Sequence, residues 1–181
     1  MVRTRVGYAG GTTENPTYYH LGDHTETIQI EYDPTLVSYR ELLDVFWAGH
    51  DPARPAFSRQ YASIIFYHDA EQEKLALASK ERQEAQCGCQ LYTEIVPAAA
   101  FYLAENYHQK YRLQQSPEFV SEFNAIYPNS DDFVNSTAAA RVNGYLGGYG
   151  ALADLQVGID GLGLSPAARQ KLLDIVRQRE R

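Results

Sequence analysis

From His24 to Tyr32 the chain alternates residue by residue, with Glu26, Ile28, Ile30 and Tyr32 on one side and Thr25, Thr27, Gln29 and Glu31 on the other. A period of two is that of a half-buried strand, and the isoleucines predict that the even side faces the core. This places Glu26 among apolar neighbours, a costly position for an unpaired carboxylate. Residues 3–9 read as another strand. The Gly10-Gly11 pair and residues 12–23 then read as a long loop of turn formers.

The period changes to that of a helix after Ser38. Ser38 with Glu41 three residues on has the form of a capping box, and Leu42, Leu43, Phe46 and Trp47 make one apolar stripe ending near Gly49. Ile64-Ile65-Phe66-Tyr67 predicts a strand over residues 61–67, and Asp69 then caps a charged helix running to about Gln86. A Cys87-Gly88-Cys89 turn leads into a strand over 91–96, and residues 101–114 fit a helix. Strands alternating with helices predict an α/β or α+β sandwich, with helices on a mixed sheet. Beyond Ser116 the pattern is helical, over 117–125, 131–146 and 165–177, with Ser165 and Pro166 at the N-cap and first turn. The glycines at 144–150 and 158–163 read as caps and turns rather than a phosphate loop.

A chain of 181 residues supports one core. Its net charge of −7, with 16 Lys and Arg against 23 Asp and Glu and no cationic run, argues against nucleic acid as a partner. No apolar stretch approaches ~18 residues, and Met1-Val2-Arg3-Thr4-Arg5 has no apolar signal region, so no membrane partner and a cytoplasmic location are expected. Two cysteines are too few for a secreted disulfide scaffold. His20 and His24 are four apart, but Gly22 between them disfavours a helix and no further ligand completes a metal site, so neither metal nor organic cofactor is expected.

Several phrases carry a specific resemblance. Val6-Gly7-Tyr8-Ala9-Gly10-Gly11, Asn15-Pro16-Thr17-Tyr18 and Gly22-Asp23-His24-Thr25-Glu26 follow one another near the start. Val45-Phe46-Trp47, His50-Asp51-Pro52, Arg59-Gln60-Tyr61-Ala62-Ser63, Tyr92-Thr93-Glu94-Ile95 and the stretch from Ala104 to Tyr111 come later. In this order and spacing, over roughly residues 3–113, the chain resembles the A-type peptide methionine sulfoxide reductases. The resemblance implies a ferredoxin-like α+β core over residues 1–115, with residues 116–181 a helical extension packed on the same domain. It implies reduction of methionine-S-sulfoxide in peptides or as the free amino acid, a repair of oxidative damage, with thioredoxin as electron donor.

Reduction of a sulfoxide needs a low-pKa thiolate near the sulfur and an acid for the departing oxygen. By resemblance Glu26 is that acid and Tyr18 and Tyr61 are the phenols that hold the oxygen. The residues alone leave open a structural role for Glu26, at a strand end or paired with Arg5. For fourteen tyrosines, ordinary half-buried packing is the competing assignment. The family's Gly-Cys-Phe-Trp-Gly nucleophile motif lies ahead of Val6-Gly7-Tyr8 in relatives and is not in this sequence. The chain is therefore expected to lack the first central strand and to be inactive as given, through a late start, a selenocysteine codon read as a stop, or true loss. The family's acidic residue ahead of the second tyrosine is also absent, since residues 52–60 contain no Asp or Glu. Cys87 and Cys89 can form a strained disulfide, serve as resolving thiols, or be structural. A binding module that recognises methionine sulfoxide without reducing it, and a ligand-free structural domain, are the competing classes.

Overall fold

The computed structural model describes residues 2–180; Met1 and Arg181, the outer ends of the expected 1–115 and 116–181 domains, lie outside the described residues. The strands are β1 (Arg3–Ala9), β2 (Thr25–Glu31), β3 (Ile64–Tyr67), β4 (Glu94–Pro97) and β5 (Phe101–Leu103). The helices are α1 (Tyr39–Ala48), α2 (Ala70–Cys87), α3 (Tyr111–Gln114), α4 (Pro117–Ile126), α5 (Ser130–Asn135), α6 (Thr137–Leu146), α7 (Leu152–Gly158) and α8 (Pro166–Arg179). The α+β class stands. Its strands fall into two sheets, one ordered β2-β1-β5 and one of parallel β3 and β4.

The chain divides into two compact units, residues 7–28 with 32–103, and residues 1–6 with 29–31 and 104–181. In the first, Ser38 and Glu41 form the expected capping box at the start of α1. The α1 stripe packs Leu43 and Trp47 with Ile65, Ala76 and Leu91, and the Trp47 indole N–H donates to Ser79 Oγ at 3.0 Å. Residues 101–114 are not one helix. Phe101–Leu103 pairs antiparallel with Gly7–Ala9, aromatic and β-prone residues preferring a partner strand. That pairing needs a glycine at position 7, where a Cβ would lie 2.3 Å from the Tyr102 carbonyl oxygen.

In the second unit Gln109 extends the strand chemistry of β1 with a side chain. Its Oε1 accepts from the Val6 N–H at 3.0 Å, and its Nε2 donates to the carbonyls of Val6 and Ala104 at 2.8 and 3.0 Å. Gln109 thereby ties the stretch from Ala104 onward to β1, and that stretch belongs to the second compact unit. The helices α3 to α8 enclose a core of Leu113, Phe119, Phe123, Leu155, Leu162 and Leu172, each at most 1% exposed. The helix expected over 131–146 is broken at Ser136, which leaves the α5 path with extended backbone and caps α6 through its side chain to the Ala139 N–H.

Lys110 is buried at 4% exposure in this unit, its ammonium donating to the carbonyls of Thr4 and Val134 at 2.6 and 2.8 Å. Burial, with Arg5 adding repulsion, pushes its pKa down to about 8. Between about pH 8 and the ordinary lysine value the unfolded chain therefore binds more protons here than the folded one, so stability from this group rises with pH. Relative to Lys110→Met, the native chain is expected to gain roughly 2 kcal/mol between pH 8 and pH 10. Urea unfolding of both proteins across that range checks it, and parallel pH profiles would refute it.

Candidate functional site

The loop after β1 is closed at its base by a clasp of short polar bonds. The Asp23 carboxylate accepts from the N–H and hydroxyl of Thr12, at 2.7 and 2.9 Å, and from those of Thr13, at 3.0 and 2.8 Å. The Thr13 and Thr12 backbone N–H groups, then their hydroxyls, hold the Asp23 carboxyl well below the usual carboxylate range. His24 is fully buried beside them, its Nδ1 accepting from the Gly11 N–H at 3.2 Å and its Nε2 donating to the Thr13 carbonyl at 2.8 Å. Both ring nitrogens are thus engaged, and the ring edge meets Tyr102 at 5.4 Å between centroids. Gly22 has φ of 63° and no room for a side chain against Thr13, so only glycine lets the two sides of the clasp meet.

At the far end of that loop Thr17 and His20 bond each other's backbone, N–H to carbonyl in both directions, at 3.3 and 3.0 Å. Tyr18 and Tyr19 form the tip between them, with rings edge to face at 5.4 Å. Tyr18 is 37% exposed. Asp23 is exposed yet depressed, so its contribution to the clasp is present above the ordinary carboxylate range and lost only as pH falls toward its low folded value. Asp23→Asn is expected to speed hydrogen exchange at the Thr12 and Thr13 amides by on the order of tenfold. Exchange unchanged at both would show that the clasp does not order the loop.

Glu26 departs from its expected setting. The buried side of β2 is the odd one, with Thr25 1% exposed, and the even side carries exposed Glu26, Ile28 and Ile30. The inversion follows from hydrogen bonding: the Thr25 hydroxyl donates to the Gln60 carbonyl at 3.0 Å and the Thr27 hydroxyl to the Thr25 carbonyl at 3.1 Å, so Thr25 is buried and Thr27 half-buried with their hydroxyls satisfied. Glu26 is not shielded from water, and Arg5 pairs with Glu31 at 2.6 Å rather than with it.

The partner of Glu26 is Gln60, whose Nε2 donates to Glu26 Oε1 at 2.8 Å. Gln60 is the middle residue of a single turn of 3-10 helix, Arg59–Tyr61, where a strand start was expected. Three contacts dock that turn: Gln60 to Glu26, Thr25 to the Gln60 carbonyl, and an Arg59–Glu94 ion pair at 2.6 Å. The next side chain is Tyr61, 47% exposed, with its ring 5.0 Å from that of Phe57. The structure therefore brings Glu26 and the Tyr61 turn together through Gln60, while Tyr18 belongs to a loop anchored directly before β2. Gln60 was legible only as a letter inside Arg59-Gln60-Tyr61, with no role assigned.

One carboxylate oxygen bound to an amide donor leaves Oε2 of Glu26 for a proton or a ligand, and the Tyr61 phenol is a donor on a residue open to solvent. Cys87 and Cys89 are joined to each other as a disulfide in the turn that ends α2. No described helix is long and apolar enough to cross a membrane.

Comparison with known proteins gives a consistent result. The family described as peptide methionine sulfoxide reductase matches residues 1–142, and the helical domain of selenoprotein methionine sulfoxide reductase A matches residues 128–176. The peptide methionine sulfoxide reductase of Drosophila melanogaster is 44% identical over 99% of this chain and 73% of its own length. Peptide methionine sulfoxide reductase A5 of Oryza sativa subsp. japonica is 42% identical over 80% of this chain. The chain spans 59% of that plant relative's length. Among solved structures, reduced Mxr1 from Saccharomyces cerevisiae aligns with a TM-score of 0.58 and 32% identity, over 63% of this chain and 71% of its own.

Proposed function

Because this chain belongs to the peptide methionine sulfoxide reductase family, we propose that its first compact unit carries the oxygen-binding side of a site for methionine-S-sulfoxide in peptides. Tyr18 and Tyr61 donate to the sulfoxide oxygen, and Glu26, through Oε2, supplies the proton that leaves with it. The observation that carries this reading is the 2.8 Å bond from Gln60 to Glu26 Oε1, which fixes the carboxyl beside the turn holding Tyr61.

The reaction of such a site transfers the oxygen to a thiolate or selenolate and leaves a sulfide. A dithiol such as that of thioredoxin then returns the oxidised nucleophile to its starting state with release of water. The role is repair of oxidised methionine in the cytoplasm. The match of residues 128–176 to a selenoprotein's helical domain supports selenium as a nucleophile of this lineage. Within residues 1–181 the only two sulfurs of cysteine are tied in one disulfide. That favours a second reading for this chain by itself, as a module that binds methionine sulfoxide without reducing it.

The test pairs two assays on one sample, binding of a methionine-S-sulfoxide peptide and its turnover with dithiothreitol. Binding without methionine formation is expected. Turnover lost in Cys87→Ser or Cys89→Ser would instead make the disulfide turn the nucleophile, and no binding at all would leave the chain a structural domain.

A further inference from the structure

We propose that the Cys87–Cys89 disulfide is a solvent-facing thiol–disulfide exchange site that takes two electrons from an external dithiol. It does not depend on the sulfoxide site, since it uses none of Tyr18, Glu26 or Tyr61.

A structural role fits this bond poorly. A disulfide stabilises a fold mainly by restricting the unfolded chain, in proportion to the logarithm of the loop it closes, and this one closes a separation of two residues. The turn is already held without it. The Gly88 N–H donates to the Glu84 carbonyl at 2.9 Å, and the Leu91 N–H donates to Glu84 Oε1 at 3.0 Å, so Glu84 fixes both sides of the cysteine pair.

The two sulfurs are also unequal. Cys87 is exposed at the last position of α2, whereas Cys89 is half-buried and packs on the cluster of Leu43, Trp47, Ile65, Ala76 and Leu91. An external thiolate therefore reaches Cys87 Sγ. The Cys89 N–H donates to that same sulfur at 3.1 Å, favouring negative charge on it, against the opposing influence of the carbonyl end of α2. Cys87 is thus the exchanging sulfur in both directions and Cys89 the one that closes the ring.

The step balances with the dithiol alone. Its thiolate attacks Cys87 Sγ, forming a mixed disulfide and breaking the Cys87–Cys89 bond, and the Cys89 thiolate takes a proton. The donor's second thiol then attacks the mixed disulfide, so the donor ends as its own disulfide and the chain holds two thiols.

The full chain is equilibrated in graded mixtures of reduced and oxidised glutathione, quenched by alkylation and weighed, with far-UV circular dichroism recorded alongside. The expected result is a single reversible transition in which two alkylations appear together and the dichroism is unchanged. Cys89→Ser, which leaves Cys87, should form a mixed disulfide with glutathione about tenfold faster than Cys87→Ser. A bond that resists reduction until the chain unfolds, thiols that never pair in oxidised buffer, or equal rates in the two variants would each overturn the proposal.

Discussion

Phe123→Ala is expected to lower the unfolding free energy by about 3–5 kcal/mol, the usual range for truncating a fully buried phenylalanine. Phe123 is 0% exposed at the centre of the helical core, its ring stacked on Tyr127 at 6.1 Å and edge-on to Phe133 at 6.2 Å. Removing it loses the transfer energy of the ring and both aromatic contacts, and leaves a cavity that helices from several parts of the tail would have to collapse to fill. For a chain of this size that corresponds to a fall in Tm of roughly 10 °C. Val157→Ala, on a side chain 91% exposed, serves as the control and should change stability by less than about 0.5 kcal/mol. If the two variants melt alike, the helices do not form the cooperative core described.

The second large effect is on binding. Tyr61→Phe is expected to weaken affinity for a methionine-S-sulfoxide peptide by roughly 5- to 150-fold, the range for deleting one hydrogen bond of about 1–3 kcal/mol. The substitution keeps the ring, and with it the contact to Phe57 at 5.0 Å, and the hydroxyl belongs to a residue nearly half exposed. Stability should therefore be nearly unchanged, so loss of affinity reports on the hydroxyl alone. Tyr18→Phe should act in the same direction, with the Asp23–Thr12–Thr13 clasp intact. Calorimetric titration checks both, and wild-type affinity in the two variants would show that the phenols do not hold the oxygen.

Much of the fold was legible where one local rule dominated. The Ser38–Glu41 capping box, the Asp69 cap of α2 and the Ser165 cap of α8 all form as their spacing required. The sequence failed where a tertiary partner decided. Alternation identified β2 as a strand, but Thr25 could be buried and Thr27 half-buried because acceptors at Gln60 and Thr25 satisfy them, and the isoleucines took the other side. Ile28, 57% exposed, and Ile30, 37% exposed, remain as uncovered apolar side chains on an edge strand. Phe101–Leu103 was hidden inside a helical pattern because its partner lies over ninety residues earlier, and Lys110, with a left-handed φ of 49°, delays α3 until Tyr111. At the site, the phrases named Tyr18, Glu26 and Tyr61 but not the amide of Gln60 that joins two of them.

We propose that Glu26, Tyr61 and the Tyr18 loop form one face that recognises the sulfoxide oxygen in a defined configuration. Its most direct test is an NMR titration of the full chain with peptides carrying methionine-S-sulfoxide, methionine-R-sulfoxide or methionine. Amide shifts at Tyr18, Glu26, Gln60 and Tyr61 are expected with the S epimer, affinity at least about tenfold weaker for the R epimer, and no shifts there with methionine. Equal response to both epimers, or shifts confined to other residues, would contradict it.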